Sequence, residues 1–250
     1  MQIVSRTTAA GEVRLAVRVS GDLAEQRPVV LVHGMGGDHS TWRALARALC
    51  DSARSVVAVD LRGHGHSGRS VDYRLPDFAD DVLHVVDELG VAEFDLVGHS
   101  LGAHTAARVA MGASPGRIGA LLLEEIPPMP RDDADLAEDI TPTASLGERL
   151  RGLGGLVVDP WPYLRFDKQL PEQVQAEFRV AEPDWWSELS RIDASTLVIS
   201  GGTSSFLPPR HLRAVADALP NGDFLTIDAG HSVHRRRPRE FADAVLALFA

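Results

Sequence analysis

A chain of 250 residues with 44% hydrophobic and 24% charged side chains has an ordinary globular composition and can bury a sizeable core. Its formal net charge of −10 disfavours nucleic acid and anionic membrane surfaces as partners, because like charges repel. Cys50 is the single cysteine, which excludes an intrachain disulfide, and no stretch resembles a signal peptide or a membrane span. We therefore expect a cytoplasmic protein.

The predicted elements alternate between strands and helices. The first 20 residues alternate apolar and polar side chains, which predicts an antiparallel hairpin at a sheet edge. Six later runs are short, continuous and apolar, as in strands of a parallel sheet that are buried on both faces: residues 29–33, 55–60, 94–97, 120–124, 196–200 and 224–228. Helical spacing of apolar residues falls between and after them: at 41–49, 78–89, 101–111, 209–219 and 238–249. This alternation predicts an α/β fold with a doubly wound, mostly parallel sheet and helices on both faces.

One long segment, residues 126–194, interrupts the alternation after the fourth buried run. It begins with several prolines and carries a cluster of large aromatic side chains. A loop of that length without structure of its own is improbable, so we expect a helical lid subdomain at 126–194. The core domain would then comprise residues 1–125 and 195–250. We expect Trp161, Trp185 and Trp186 to contact an apolar substrate, and the alternative is that they form a small core of the lid.

Candidate functional residues follow the buried runs, where the carboxyl ends of parallel strands meet. Residues 98–102 read Gly-His-Ser-Leu-Gly between a buried run and a helix. A nucleophilic serine on such a turn needs small neighbours two positions away on each side, which predicts Ser100 as the nucleophile. The backbone N–H groups of Leu101 and of Met35, in the glycine-rich loop 33–37, are the candidate oxyanion donors. His231 follows the last run as the candidate general base, and His99 is a candidate pocket residue.

Histidines elsewhere are expected to pack rather than react. His64 and His66 form a His-x-His pair in the loop 60–68, which could bind a metal. The sequence offers no evident set of further ligands, so we favour loop packing and expect no metal site.

Four blocks resemble the α/β-hydrolase family and occur in its order: residues 30–34 (Val-Leu-Val-His-Gly), 60–65 (Asp-Leu-Arg-Gly-His-Gly), 97–102 (Val-Gly-His-Ser-Leu-Gly) and 230–231 (Gly-His). The resemblance covers the chain from about residue 10 to its end and is more specific to fold than to substrate. It implies that Ser100 is the nucleophile, His231 the base, and Met35 and Leu101 the oxyanion donors. It also implies that the segment after the sixth strand of the family is a lid.

The chain departs from this family at the position of the triad acid. Members commonly carry an aspartate after the seventh strand, where this chain has Ser204, and residues 201–208 contain no carboxylate. Certain haloalkane dehalogenases of the same fold place a glutamate after strand six, with prolines four and six positions later. Glu124, with Pro128 and Pro130, resembles that spacing, although those enzymes use an aspartate nucleophile where this chain has Ser100.

We therefore expect Glu124 to be the acid of the triad. Adjacent strand residues face opposite ways, so Glu125 would take this role only if the strand end twists. Asp228 is a weaker candidate, because it precedes His231 closely along the chain.

These residues predict a hydrolase that cleaves an ester or thioester of a small, largely apolar substrate through a Ser-His-Glu triad and an acyl-enzyme. No metal or organic cofactor is expected, and the expected partner is the small-molecule substrate. An acyltransferase with the same triad is one alternative. A second alternative is a non-hydrolytic enzyme of this fold (a lyase, cyclase or cofactor-free oxygenase) or a ligand-binding protein, which the missing carboxylate at Ser204 favours. The sequence leaves the oligomeric state open.

Overall fold

A computed structural model describes residues 1–8, 11–24, 26–138 and 164–250. In these ranges one sheet has eight strands: β1 (Gln2–Thr8), β2 (Gly11–Ser20), β3 (Val29–Val32), β4 (Val56–Val59), β5 (Phe94–His99), β6 (Ile118–Glu124), β7 (Ser195–Ser200) and β8 (Gly222–Thr226). Their order is β1-β2-β4-β3-β5-β6-β7-β8. The pairs β1–β2 and β2–β4 are antiparallel, and the strands from β4 to β8 are parallel. The edge hairpin and the mostly parallel sheet are thus confirmed.

The described helices include all five that the sequence predicts, with bounds that differ by at most three residues. They are α1 (Arg43–Asp51), α2 (Leu75–Glu88), α3 (Leu101–Gly112), α4 (Asp133–Ala137), α5 (Leu170–Glu177), α6 (Pro183–Glu188), α7 (Pro209–Ala218), α8 (Val233–Arg236) and α9 (Pro238–Leu248). Several of them carry a proline in the first turn, where the missing backbone N–H would have no partner inside the helix. Each described helix is too short or too polar to cross a membrane.

Two hydrophobic layers enclose the sheet. Val30 and Val32 point into one layer with side chains of α2, α3 and α7. Val29 and Leu31 point into the other layer with side chains of α1 and α9. Successive residues of a strand face opposite sides, so a continuous apolar run serves both layers. This explains why the buried strands do not alternate in polarity.

The segment 126–194 is described in part, through α4, α5 and α6. Leu170, Val174 and Trp185 are fully buried and belong to the same hydrophobic layer as α2 and α3. Helices α5 and α6 therefore contribute to this hydrophobic layer, whereas α4 buries no residue. Trp161 lies outside the described residues, and the division into a core domain and a lid stays a prediction.

Candidate active site

Ser100 lies on a sharp turn between β5 and α3. Its backbone has φ 53° and ψ −119°, which is a strained conformation for a residue with a side chain. A Cβ atom on Gly98 would come within 2.3 Å of the Gly102 carbonyl oxygen, and one on Gly102 within 2.2 Å of the Val32 carbonyl oxygen. Only glycine fits at both positions, as the motif predicts. The turn leaves Ser100 half-buried at the carboxyl edge of the sheet.

His231 lies in the loop after β8, directly against Ser100. Its Nε2 is 3.0 Å from the Ser100 Oγ, and its Nδ1 is 3.1 Å from Oε2 of Glu125, which is fully buried. An ionised carboxylate can only accept hydrogen bonds, so Nδ1 carries the hydrogen and Nε2 is free to accept the hydroxyl proton. The arrangement of hydroxyl, imidazole and carboxylate can raise the nucleophilicity of a serine.

The expectation that Glu124 contacts His231 is wrong, because the chain turns at the next residue. Strand β6 ends at Glu124, and Glu125 has a φ of 52° in the left-handed region. The alternation of side chains along a strand no longer applies there, and the Glu125 carboxylate faces His231. It also accepts hydrogen bonds from the Gly201 N–H (2.5 Å) and from the Ser205 hydroxyl.

These two donors belong to the loop in which the family commonly carries its aspartate. Strand β7 pairs with β6 in parallel, so the loop after β7 begins beside the end of β6. The loop that lacks a carboxylate thus supplies an N–H and an O–H to a carboxylate from the neighbouring strand. The sequence shows a loop without a carboxylate, residues 201–208, and two glutamates at the end of the neighbouring strand. It does not tell which of the two glutamates faces His231.

Glu124 instead bonds His234, three residues beyond His231. Its Oε1 accepts from the His234 backbone N–H (3.0 Å), and both of its oxygens contact His234 Nδ1, at 2.9 and 2.7 Å. Burial raises the pKa of Glu124, and burial also lowers the pKa of His234 well below its usual value. The sequence did not single out this second glutamate–histidine pair.

The expectation that His99 lines the pocket is wrong, because its ring is buried beneath the loop 229–233 that carries His231 (the catalytic loop). Its Nε2 donates to the backbone carbonyl oxygen of His231 at 2.7 Å. Burial lowers the pKa of His99 well below its usual value, so it is a neutral donor. It holds the backbone of His231 instead of meeting substrate.

The loop 33–37 and the start of α3 border the same cavity as Ser100. Met35 and Leu101 both line this cavity, and Leu101 is the first residue of α3, whose early N–H groups have no helical partner. His33 holds the loop: its Nε2 accepts from the Leu61 N–H at 3.1 Å and its Nδ1 donates to the Gly34 oxygen at 2.8 Å. The placement suits two oxyanion donors, and that role stays a prediction.

The cavity at Ser100 has a volume of about 140 Å³ and a largely apolar lining. Trp186 lines it and donates from Nε1 to the Met129 oxygen at 2.7 Å, and its contact with substrate stays a prediction. The expectation for Trp185 is wrong, because this residue is fully buried and its ring stacks on His104 with centroids 5.3 Å apart. Neighbouring residues of a short helix face different sides, and packing on α3 decided which tryptophan turned inward.

Within the part of the chain that the structure describes, two groups of side chains have donor atoms close enough to hold a cation: His39, Asp60 and His66, and the buried set His99, Glu124 and His234. Asp60 is bonded to His39 in the first group, and Glu124 is bonded to His234 in the second. His99 donates to the His231 carbonyl oxygen instead. Burial alone would raise the pKa of Asp60, but its hydrogen bond from His39 at 2.8 Å and other donors outweigh this and lower that pKa to about 2. His64 is buried against the rings of His33 and Phe166, as loop packing predicts.

Comparison with known proteins identifies the family of the chain. The model of the alpha/beta hydrolase family matches residues 29–244, and the chain therefore belongs to that family. The chain is 27% identical to the mouse sn-1-specific diacylglycerol lipase ABHD11 over 89% of this chain and 80% of that protein. It is 28% identical to the non-heme chloroperoxidase CPO-A1 of Kitasatospora aureofaciens over 81% and 83% of the two chains.

A solved structure has the same fold. The enol-lactonase from Burkholderia xenovorans aligns with a TM-score of 0.78 and 24% identity, over 98% of this chain and 99% of that chain. Together with the relatives named lipases and esterases, the family membership supports an enzyme of the hydrolase kind at this coarse level.

Proposed function

We propose that this protein hydrolyses a carboxylic ester or thioester through Ser100 as nucleophile, His231 as general base and Glu125 as the acid that orients it. The observation that carries this proposal is a pair of contacts on the wall of an apolar cavity. His231 Nε2 lies 3.0 Å from Ser100 Oγ, and His231 Nδ1 lies 3.1 Å from Glu125 Oε2. In the first half of the reaction His231 takes the hydroxyl proton while Oγ attacks the carbonyl carbon. His231 then protonates the leaving alcohol or thiol, which leaves an acyl-enzyme.

In the second half of the reaction, water attacks the acyl-enzyme with His231 again as the base, and the acid product leaves. The backbone N–H groups of Met35 and Leu101 would stabilise the oxyanion in both halves. The small apolar cavity favours a substrate whose acyl or alcohol group is short to medium in length and largely apolar. The expected partner is therefore a small molecule, and the proposed chemistry involves no metal or organic cofactor.

Acyl transfer to an acceptor other than water is the second candidate, because the triad would be the same. One relative is named a chloroperoxidase, and that name makes hydrogen peroxide an acceptor to test. The missing carboxylate at Ser204 favoured non-hydrolytic chemistry, and the contact of Glu125 with His231 removes that reason. Product analysis with added methanol or hydrogen peroxide separates hydrolysis from transfer. A transferase would form methyl ester or peracid, relative to free acid, in a ratio above the molar ratio of methanol or peroxide to water.

The test of hydrolysis is a panel of nitrophenyl esters from acetate to octanoate, assayed with the parent and with Ser100→Ala. We expect turnover that is greatest for short to medium acyl groups and is lost in Ser100→Ala. Ser114→Ala, a surface serine variant, is the matched control and should retain the parental rate. Parental turnover by Ser100→Ala would contradict the assignment of the nucleophile, and so would a folded parent that hydrolyses none of the esters and their thioester counterparts.

A further inference from the structure

Two adjacent glutamates at the end of β6 serve two histidines that lie three residues apart. Glu125 faces His231, whereas Glu124 bonds His234 through its backbone N–H and its Nδ1. The Glu124–His234 pair is buried, with side chains 0% and 3% exposed. A carboxylate is costly to bury unless its oxygens accept hydrogen bonds, and here three short contacts to His234 satisfy them.

Glu124 also fixes the start of α8, which follows the catalytic loop directly. His234 is the second residue of α8, and a backbone N–H at that position has no acceptor inside the helix. Glu124 supplies the acceptor from another element of the fold, in the way that a capping side chain would. The beginning of α8 is thereby bonded to the end of β6, at the residue that directly precedes Glu125.

His99 holds the catalytic loop from a second side. Its Nε2 donates to the carbonyl oxygen of His231, and its ring centroid lies 4.8 Å from the rings of both His231 and His234. A Cβ atom on Gly34 would come within 2.6 Å of its Nδ1, so the loop 33–37 lies close against the other nitrogen of the ring. His231 is thus held at its backbone by His99, and Glu124 holds the helix that follows.

We propose that Glu124 and His234 are positioning residues, which hold the loop 229–233 so that the His231 imidazole stays in line between Ser100 and Glu125. This inference rests on the proposed function of Ser100 and His231. The described lining of the cavity includes neither Glu124 nor His234, so their effect passes through His231 and not through substrate contact. A general base displaced by about 1 Å can cost about a hundredfold in rate.

The test compares Glu124→Gln, His234→Leu and His234→Asn with the parent. The amide nitrogen of an asparagine can take the place of Nδ1 as donor to Glu124, whereas leucine offers no donor. The readouts are the rate of Ser100 labelling by a fluorophosphonate, and kcat and KM for a nitrophenyl ester. Each rate is expressed per folded molecule, from the folded fraction at the assay temperature, so a loss of stability does not imitate a loss of positioning.

We expect Glu124→Gln and His234→Leu to lower the labelling rate and kcat about tenfold to a hundredfold, with KM within about twofold of the parent. His234→Asn should recover most of this loss. The double variant Glu124→Gln/His234→Leu should lose no more than the slower single variant. Glu124→Gln keeps one acceptor oxygen and weakens the contact, His234→Leu removes the Nδ1 donor, and both changes therefore act on the same pair.

The proposal is overturned if the parent is labelled and the folded fractions of Glu124→Gln and His234→Leu are labelled at the parental rate. It is equally overturned if His234→Asn is as slow as His234→Leu, or if the loss lies in KM alone. A folded parent that the fluorophosphonate never labels would instead contradict the proposed function, on which this inference depends. If one single variant fails to fold, the other still decides between these outcomes.

Discussion

Replacement of Glu125 by glutamine tests whether its carboxylate supports catalysis. The parent side chain accepts from His231 Nδ1, the Gly201 N–H and the Ser205 hydroxyl, so both of its oxygens are used as acceptors. A glutamine has one acceptor oxygen, and its NH₂ group must face one of these donors. If the NH₂ group faces His231, the imidazole must adopt the tautomer with its hydrogen on Nε2. His231 can then no longer accept the proton of Ser100.

The size of the effect follows from the distance of 3.1 Å between Nδ1 and the carboxylate. At that separation and an effective dielectric constant of about 20, a unit charge pair is worth about 5 kcal/mol, which corresponds to about 10⁴ in rate. We therefore expect kcat/KM for a nitrophenyl ester to fall by about 10³ to 10⁴ in Glu125→Gln. Glu124→Gln is the matched variant and should fall by no more than about a hundredfold.

The assay compares both variants after their folded fractions are equalised by choice of temperature. A Glu125→Gln variant within tenfold of the parent would refute the assignment of this carboxylate. An equal loss in the two variants would also refute it, because Glu124 does not contact His231.

Three further predictions concern the surrounding structure. Gly98→Ala should lower the melting temperature and abolish labelling of Ser100, since its Cβ would meet backbone atoms at 2.3–2.6 Å, whereas Gly112→Ala, with open space at its Cβ, should do neither. Asp81→Asn should lower the free energy of unfolding by about 3–5 kcal/mol in urea titrations, because Asp81 is the buried partner of Arg62 at 2.6 Å; a loss below 1 kcal/mol would contradict this. Burial lowers the pKa of His104 to about 3, so the unfolded chain binds a proton below pH 6.5 that the folded protein refuses. Stability should therefore fall as the pH drops from 6.5 towards 3, and His104→Gln should reduce that slope by about 1.4 kcal/mol per pH unit; an unchanged slope would show that His104 is not held neutral.

The sheet and the serine turn were predictable because each depends on local sequence. Continuous apolar runs indicate strands that are buried on both faces, and they predicted the parallel part of the sheet. The expected burial is wrong for β8, because it is the edge strand and has no fully buried residue. Glycines on both sides of Ser100 indicate a turn in which a Cβ would meet backbone, and the structure has that turn. The contact between His231 and Ser100 agrees with a histidine placed at the carboxyl end of the last strand.

The identity of the acid was not predictable, because it depends on one backbone dihedral angle. Glu124 and Glu125 are chemically equal in the sequence, and alternation along an ideal strand gives the wrong one. The φ of 52° at Glu125 ends that alternation and sends its carboxylate towards the donors of the β7 loop. Trp185 and Trp186 pose the same problem on α6, where packing against His104 decides which ring is buried.

The most direct test of the central claim is mass spectrometry of the protein after treatment with a fluorophosphonate. We predict one adduct, on the peptide that carries Ser100, with a labelling rate that falls by about 10³ or more in Glu125→Gln. An adduct on another residue would contradict it, as would labelling of Ser100 at an unchanged rate in Glu125→Gln or a folded parent that takes up no label.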